Sequence, residues 1–92
     1  MVTPLGQRLR QLRTSAGIAA DELSERGGFS HSLVSHIETG QIANPGARTT
    51  ARLAELLGAS LDWLIAGAGS PPTVEQSRAA FDRHRQAPAQ AS

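Results

Sequence analysis

The chain has 92 residues, a formal net charge of +1 and nine basic residues, all of them arginine. This length suits one domain around one modest core, and the lack of cysteine excludes disulfides and thiolate metal sites. No apolar run approaches the roughly 20 residues that cross a bilayer, and polar residues interrupt the N-terminus where a signal peptide would be apolar. We therefore expect a cytoplasmic protein with no membrane partner.

The apolar residues recur at helical spacing, and no alternating run predicts a strand, so we expect an all-α fold. The first helix begins at Pro4 behind the N-cap Thr3, and Gly17 ends it. One continuous apolar stripe follows this helix, made of Leu5, Leu9, Leu12 and Ala16.

Residues 19–40 predict two short helices joined by a glycine turn. The second helix of the chain runs over about 20–26 and the third over 31–39, and Gly40 stops the third. The Gly-Gly pair at 27–28 lies between them, where a tight turn needs a residue that tolerates positive φ. This layout is typical of a helix-turn-helix, whose second helix enters the major groove of DNA.

The expected N-cap of the third helix is Ser30, with Phe29 and Val34 in hydrophobic-staple positions. The core between these two helices is expected to contain Leu23 of the second helix and Val34 and Ile37 of the third.

Three further helices are predicted, over 47–57, over 61–66 behind the cap Ser60, and over about 74–86 behind a T-x-x-Q capping box. The residues expected to face the core from the fourth and fifth helices are Leu53, Leu56, Leu57, Leu61, Leu64 and Ile65, with Trp63 at the core edge. Val74 and Phe81 have no evident partner in so small a core, so the last helix is expected to dock on the domain or on a second subunit.

The sequence resembles the Cro/C1-type (XRE-like) helix-turn-helix family over about residues 5–67. The motifs that carry the resemblance are LGQRLRQLR from Leu5, GIAADELSERGGFSHSLVSHIETG from Gly17, Pro45, and LAELLGASLDWLIAG from Leu53. The resemblance implies a compact five-helix lambda-repressor-like DNA-binding domain over 1–67. We expect it to be followed by a linker over 68–72, a sixth helix over 73–86 and a disordered tail over 87–92.

The resemblance also assigns roles to single residues. Arg13 and Glu38 correspond to a salt bridge between the first helix and the end of the third. The expected base-contacting residues are His31, Ser32, Ser35 and His36, and the expected DNA backbone contacts are Ser30, Gln41, Asn44 and Arg48.

Three positions depart from the family pattern. Ala19 and Ala20 replace residues that commonly cap the second helix and contact phosphate, and Gly27 replaces an apolar residue, which should loosen the turn. The third helix also lacks Arg, Gln and Asn, the strongest readers of base edges.

Other interpretations of the same residues remain open at this point. His31 and His36 are five residues apart, which does not match the same-face i, i+4 spacing of a helical zinc pair, so we expect no metal or other cofactor. Their place in the motif favours DNA contacts over solvated surface residues without a role, and each of Arg8, Arg10, Arg48 and Arg52 could be an ordinary surface residue. Ser, His and Asp occur without a nucleophile elbow, so we expect no catalytic residues and no enzyme.

We therefore expect a sequence-specific transcriptional regulator, a repressor, that reads double-stranded DNA with helix 31–39 as a homodimer. The alternative is a protein-interaction module of the same fold, for example an antitoxin-like one, that binds a protein partner and has weak or no DNA binding. Salt-sensitive binding to duplex DNA distinguishes the two, because phosphate contacts weaken as salt rises.

Overall fold

The computed structural model of the protein describes residues 2–84, and in that range it contains six α-helices and no strand. In chain order they are α1 (Pro4–Ser15), α2 (Ala20–Arg26), α3 (Leu33–Thr39), α4 (Ala47–Leu57), α5 (Leu61–Ala66) and α6 (Val74–Arg83). The all-α class and the order of the helices predicted from the sequence are confirmed. None of these helices combines the length and the apolarity that a bilayer span requires.

Side-chain caps define the starts of three helices where the sequence predicts them. The Thr3 hydroxyl accepts a hydrogen bond from the Gly6 amide at 3.0 Å, and the Ser60 hydroxyl accepts one from the Trp63 amide at 3.0 Å. At α6 the Thr73 hydroxyl accepts from the Gln76 amide and the Gln76 side chain accepts from the Thr73 amide. These bonds satisfy amide groups that have no partner inside the helix.

The start of α3 differs from the prediction. The helix begins at Leu33 rather than His31, and the predicted N-cap role of Ser30 is wrong. The backbone carbonyl of Ser30, not its side chain, accepts a hydrogen bond from the Leu33 amide at 3.1 Å. Residues 31–32 form a turn, and the second amide inside the helix, that of Val34, donates to the hydroxyl of Ser24 on α2.

The core contains the apolar faces of all six helices. Leu53, Leu56 and Leu57 are buried as predicted, and Trp63 lies in the core with 7% of its surface exposed rather than at its edge. The remaining buried apolar residues are Leu9, Leu12, Ala16, Ile18, Leu23, Val34, Ile37, Ala54, Leu64, Ala80 and Phe81.

The predicted orientation of α5 is wrong for two residues. Leu61 is 38% exposed and Ile65 is 51% exposed, whereas Trp63 and Leu64 are buried. A helix turns by roughly 100° per residue. A buried face centred between positions 63 and 64 therefore leaves the side chains of Leu61 and Ile65 more than about 100° away from its centre. The helix has only six residues, and so it buries one narrow face.

The last helix, α6, packs on α4 and α1, and Phe81 is its main buried side chain, with 1% exposed. The guanidinium carbon of Arg26 lies 3.9 Å from the centroid of the Phe81 ring, and an Arg26 amine donates to the Phe81 carbonyl at 2.9 Å. The hydroxyl of Ser77 donates to the Leu57 carbonyl at 2.8 Å, which satisfies the end of α4. Phe81 therefore docks on its own domain, while Val74 stays 49% exposed.

Residues 67–73 join α5 to α6 without helix. The sixth helix ends at Arg83 with His84 as its C-cap, and the rest of the predicted continuation, over 85–86, and the predicted tail over 87–92 lie outside the described residues. The division into a domain, a linker and a separate helix stays a prediction.

Replacing Phe81 with Ala should lower the free energy of unfolding by about 3–5 kcal/mol, because it leaves a cavity between α4 and α6. Val74→Ala on the exposed side of the same helix should change it by less than about 0.5 kcal/mol. Urea titration followed by circular dichroism measures both. Equal effects of the two substitutions would show that α6 does not contribute to the core.

Candidate nucleic-acid interface

The site predicted from the sequence centres on α3, which packs against α2 through three completely buried side chains. Leu23, Val34 and Ile37 are each 0% exposed, as expected for the core of a helix-turn-helix. Gly28 has a φ of +80° in the turn between the helices, a backbone conformation that glycine adopts without strain. This packing leaves the opposite side of α3 facing solvent.

The turn is closely packed, contrary to the expectation that Gly27 would loosen it. A Cβ atom at Gly27 would lie 2.6 Å from a ring carbon of Phe29 and 3.0 Å from a methyl group of Leu56. The aromatic ring of Phe29 therefore occupies the space that a side chain at position 27 would fill.

The N-terminal end of α3 is attached to α2 by Ser24, a residue whose role the sequence did not reveal. Its hydroxyl accepts a hydrogen bond from the Val34 amide at 3.0 Å and donates one to the Ala20 carbonyl at 3.0 Å. Ser24 is 0% exposed. The only sequence signal is a small polar residue beside the core residue Leu23, which does not identify the donor that it binds.

The C-terminal end of α3 is attached to α1 by the ion pair expected from the family resemblance. Two guanidinium nitrogens of Arg13 donate to the two carboxylate oxygens of Glu38 at 2.7 and 2.8 Å, and a third donates to the Ile18 carbonyl at 2.8 Å. The hydrogen bonds to Glu38 raise the pKa of Arg13, and burial opposes this shift only in part. Bidentate geometry of this kind fixes direction as well as distance.

Close backbone approach supports the same attachment. A Cβ atom at Gly6 on α1 would lie 2.6 Å from the carbonyl oxygen of Ile37 and 3.2 Å from the Cα of Glu38. Because these are backbone atoms that cannot move aside, α1 can pack this closely on the end of α3 only with glycine at position 6.

The predicted base-contacting residues fall into two groups. Ser32, Ser35 and His36 lie at i, i+3 and i+4 along one face of α3, where Ser35 is exposed and the other two are partly exposed. His31 precedes the helix and turns toward α2. Its Nδ1 lies 3.0 Å from a carboxylate oxygen of Glu25, and 69% of its side chain is exposed.

The predicted DNA backbone contacts line the segments on either side of α3. Ser30 precedes it, Gln41 and Asn44 lie in the loop after it, and Arg48 lies in the first turn of α4; all four are exposed. Within residues 2–84 the structure shows no hydrogen-bonding or ionic partner for Arg48. This leaves its guanidinium available to a phosphate group.

The loop that carries Gln41 and Asn44 is held in place from both sides. The amide of Ile42 donates to the His36 carbonyl at 2.9 Å, and the Ile42 side chain is partly buried against the core. The Asn44 side chain accepts from the Gly46 amide at 3.3 Å. The loop therefore runs directly from the end of α3 to the start of α4.

Most other arginines have structural partners, which the sequence left open. Arg8 donates to the carbonyls of Leu64 and Ile65 at the end of α5, at 2.8 Å for the first. Arg52 pairs with Glu55 at 3.1 Å on the surface of α4. Arg10 stays exposed on α1. The Arg52–Glu55 pair is an i, i+3 contact within one helix, whereas the role of Arg8 depends on a contact between distant parts of the chain, which sequence spacing does not show.

No group of three or more His, Cys, Asp or Glu side chains in residues 2–84 is arranged to hold a metal ion. The predicted DNA-contacting residues around α3 carry hydroxyls, amides, imidazoles and a guanidinium. Such groups form hydrogen bonds to phosphates and base edges.

A short helix pair with a glycine turn, set in an all-α bundle with a polar face outward, defines a helix-turn-helix domain. The chain belongs to the family whose model is described as "Helix-turn-helix domain", which matches residues 6–70. The resemblance to the Cro/C1-type (XRE-like) proteins is thereby confirmed.

A curated relative is the "Uncharacterized HTH-type transcriptional regulator RghRB" of Bacillus subtilis (strain 168). It is 34% identical over 68 residues, which cover 74% of this chain and 49% of the relative. The chain therefore spans about half the length of this relative. No solved structure matches the chain significantly.

Arg13→Ala should lower the free energy of unfolding by about 3–5 kcal/mol, because it leaves the buried carboxylate of Glu38 without a counter-ion. Arg52→Ala, which removes an exposed pair, should cost less than about 1 kcal/mol. Arg13→Met combined with Glu38→Leu should recover most of the loss, since no unpaired charge remains. Thermal unfolding of the four proteins measures this, and a double variant no better than Arg13→Ala would contradict it.

Proposed function

We propose that the protein is a sequence-specific DNA-binding transcriptional regulator that places α3 in the major groove of double-stranded DNA. The observation that supports this most is that hydrogen bonds to α2 and α1 fix the two ends of α3. Its outward face carries Ser32, Ser35 and His36. A helix with a fixed direction and an unsatisfied polar face suits the reading of base edges. Such a regulator works in the cytoplasm.

The contacts divide into two classes in this proposal. The hydroxyls of Ser32 and Ser35 and the imidazole of His36 bond to base edges, and each can donate or accept. Ser30, Gln41, Asn44 and Arg48 contact the phosphate backbone and fix the position of the domain on the duplex.

His31 joins the base contacts only if its ring leaves Glu25. That exposed pair is weak enough for DNA to compete with it. In this proposal His31 contacts a base when DNA is bound, and its ring pairs with Glu25 when DNA is absent.

The printed name of the relative, an HTH-type transcriptional regulator, supports the regulatory role. We further propose that the protein represses. Repression requires only that the bound protein occlude a promoter, so a small DNA-binding domain is sufficient. Regulation of either sign is compatible with the fold, and reporter assays with a selected operator decide the sign.

We propose that the protein binds DNA as a homodimer through α5. Leu61 and Ile65 are exposed on this short helix, and Leu61 lines an open groove of about 740 Å³ with Arg48 and Phe29. Exposed apolar side chains beside a DNA contact suit a two-fold interface. It would place two α3 helices on half-sites about one helical turn apart.

Leu61→Asp should convert the dimer to a monomer, because it places a charge in the apolar contact. Val74→Asp, which changes an exposed valine on α6, serves as the control and should remain dimeric. Light scattering at micromolar concentration measures the mass. A monomeric mass for the unaltered protein, with or without a duplex, would contradict the dimer.

Arg48→Ala should weaken binding to all duplexes alike and reduce the slope of log affinity against log salt by about 0.9 per subunit, or about 1.8 for the proposed dimer. The control is Arg83→Ala, which changes an exposed arginine on α6, a helix that packs on α4 and α1 rather than α3. His36→Ala should instead reduce discrimination between selected and scrambled duplexes by roughly tenfold. Fluorescence anisotropy over a range of salt concentrations, with duplexes selected from genomic fragments, measures all three.

The alternative function, a protein-interaction module with little or no DNA binding, has some support from the acidic residues of α2 and the low net charge. Acidic residues beside α3 repel phosphate and lower the affinity for any duplex. Absence of binding to genomic fragments even at low salt would favour this alternative and refute the proposed function.

A further inference from the structure

Two serines of the described chain are almost completely buried, and both use their hydroxyls. Ser77 is 1% exposed and donates to the Leu57 carbonyl, far from α3 in the α4–α6 contact. Ser24 is 0% exposed and lies between α2 and α3. A buried hydroxyl is costly unless it is hydrogen-bonded, so each position requires its partners.

Ser24 bonds to all three parts of the helix-turn-helix. Its hydroxyl donates to the Ala20 carbonyl on α2 and accepts from the Val34 amide on α3, both at 3.0 Å. Its backbone carbonyl accepts from the Phe29 amide in the turn at 2.9 Å. One residue therefore links the first helix, the turn and the second helix.

No side chain of α3 itself performs this function. Ser32 stands at the cap position and makes no capping hydrogen bond, and the Leu33 amide bonds only to the backbone of the turn. The helix has seven residues and is about 10 Å long, too short to hold its own direction. The side-chain hydrogen bonding at its N-terminal end thus depends on Ser24.

We propose that Ser24 is a positioning residue that sets the tilt of α3 relative to α2 and so determines which base edges are reached by Ser32, at the N-terminal end of α3, and by Ser35 behind it. The proposal rests on the proposed DNA-binding function. Without the hydroxyl, the Val34 amide loses its partner, and α3 pivots about its other attachment, the Arg13–Glu38 pair. A tilt of about 6° moves the N-terminal end of a 10 Å helix by about 1 Å, enough to break a hydrogen bond to a base.

This tilt separates discrimination from affinity. The proposed phosphate contacts of Gln41, Asn44 and Arg48 lie on the loop and on α4, whereas the hydrogen bonds of Ser24 described above go to α2, the turn and α3. Loss of the hydroxyl should therefore reduce the preference for the selected duplex while leaving most of the electrostatic binding intact.

The experiment compares the unaltered protein with Ser24→Ala, which loses two buried hydroxyl hydrogen bonds, and uses as the control Ser77→Ala, which removes an equally buried hydroxyl with its one hydrogen bond. Affinities for the best selected duplex and for a scrambled duplex are measured at a temperature where all proteins are folded by circular dichroism. Ser24→Ala should lower the ratio of the two affinities by roughly tenfold and change the scrambled affinity by less than about twofold. Ser77→Ala should leave the ratio unchanged.

A second variant and an amide-exchange measurement also test the role of Ser24. Ser24→Cys preserves the shape and a weak acceptor, so it should fold if Ser24→Ala does not, and should give an intermediate ratio. Nuclear magnetic resonance without DNA should show faster amide exchange at Val34 and Ser35 in the Ser24 variants but not in Ser77→Ala. An unchanged ratio, or an equal loss in Ser77→Ala, would overturn the proposal.

The same measurements distinguish its failure from failure of the proposed function. If the unaltered protein prefers no duplex, the proposed function fails and the specificity role of Ser24 fails with it. If the unaltered protein discriminates and Ser24→Ala discriminates equally well, only the role of Ser24 is refuted.

Discussion

The seven-residue length of α3 is the constraint on which the rest of the structure depends. A helix of about two turns is not stable by itself, and its direction must come from other parts of the chain. Ser24 supplies one attachment and the Arg13–Glu38 pair supplies the other, so the two ends of α3 are held by α2 and α1. The remaining helices hold α1 and α2 in place, and in that sense they serve the same face.

Several arginines make internal contacts around the small core. Arg8 satisfies the end of α5, and Arg26 covers the ring of Phe81, so long side chains close the gaps that a chain with few aromatic residues leaves. Charges spent on internal contacts are not available to phosphates. The exposed basic residues near α3 are few, and specificity therefore has to come from the geometry of hydroxyls and imidazoles rather than from a strong positive field.

Much of the fold could be predicted from local chemistry. Thr3, Ser60 and Thr73 cap their own helices, and those starts follow from the sequence because donor and acceptor are three residues apart. The start of α3 could not, because its capping hydroxyl comes from position 24 on another helix. The orientation of α5 failed for a similar reason: in six residues the choice of buried face depends on what packs against it. In the candidate site, the family motif supplied Arg13 with Glu38, while Ser24 and Arg8 emerge only from contacts between distant parts of the chain.

The packing of Phe29 on Gly27 has a consequence for how this turn can change during evolution. The two positions share one volume, so a larger residue at 27 requires either that the Phe29 ring move or that position 29 carry a smaller residue. A single replacement at position 27 overfills the site, and a single replacement at position 29 empties it. Lineages that carry this turn are therefore expected to change the two residues together more often than either one alone.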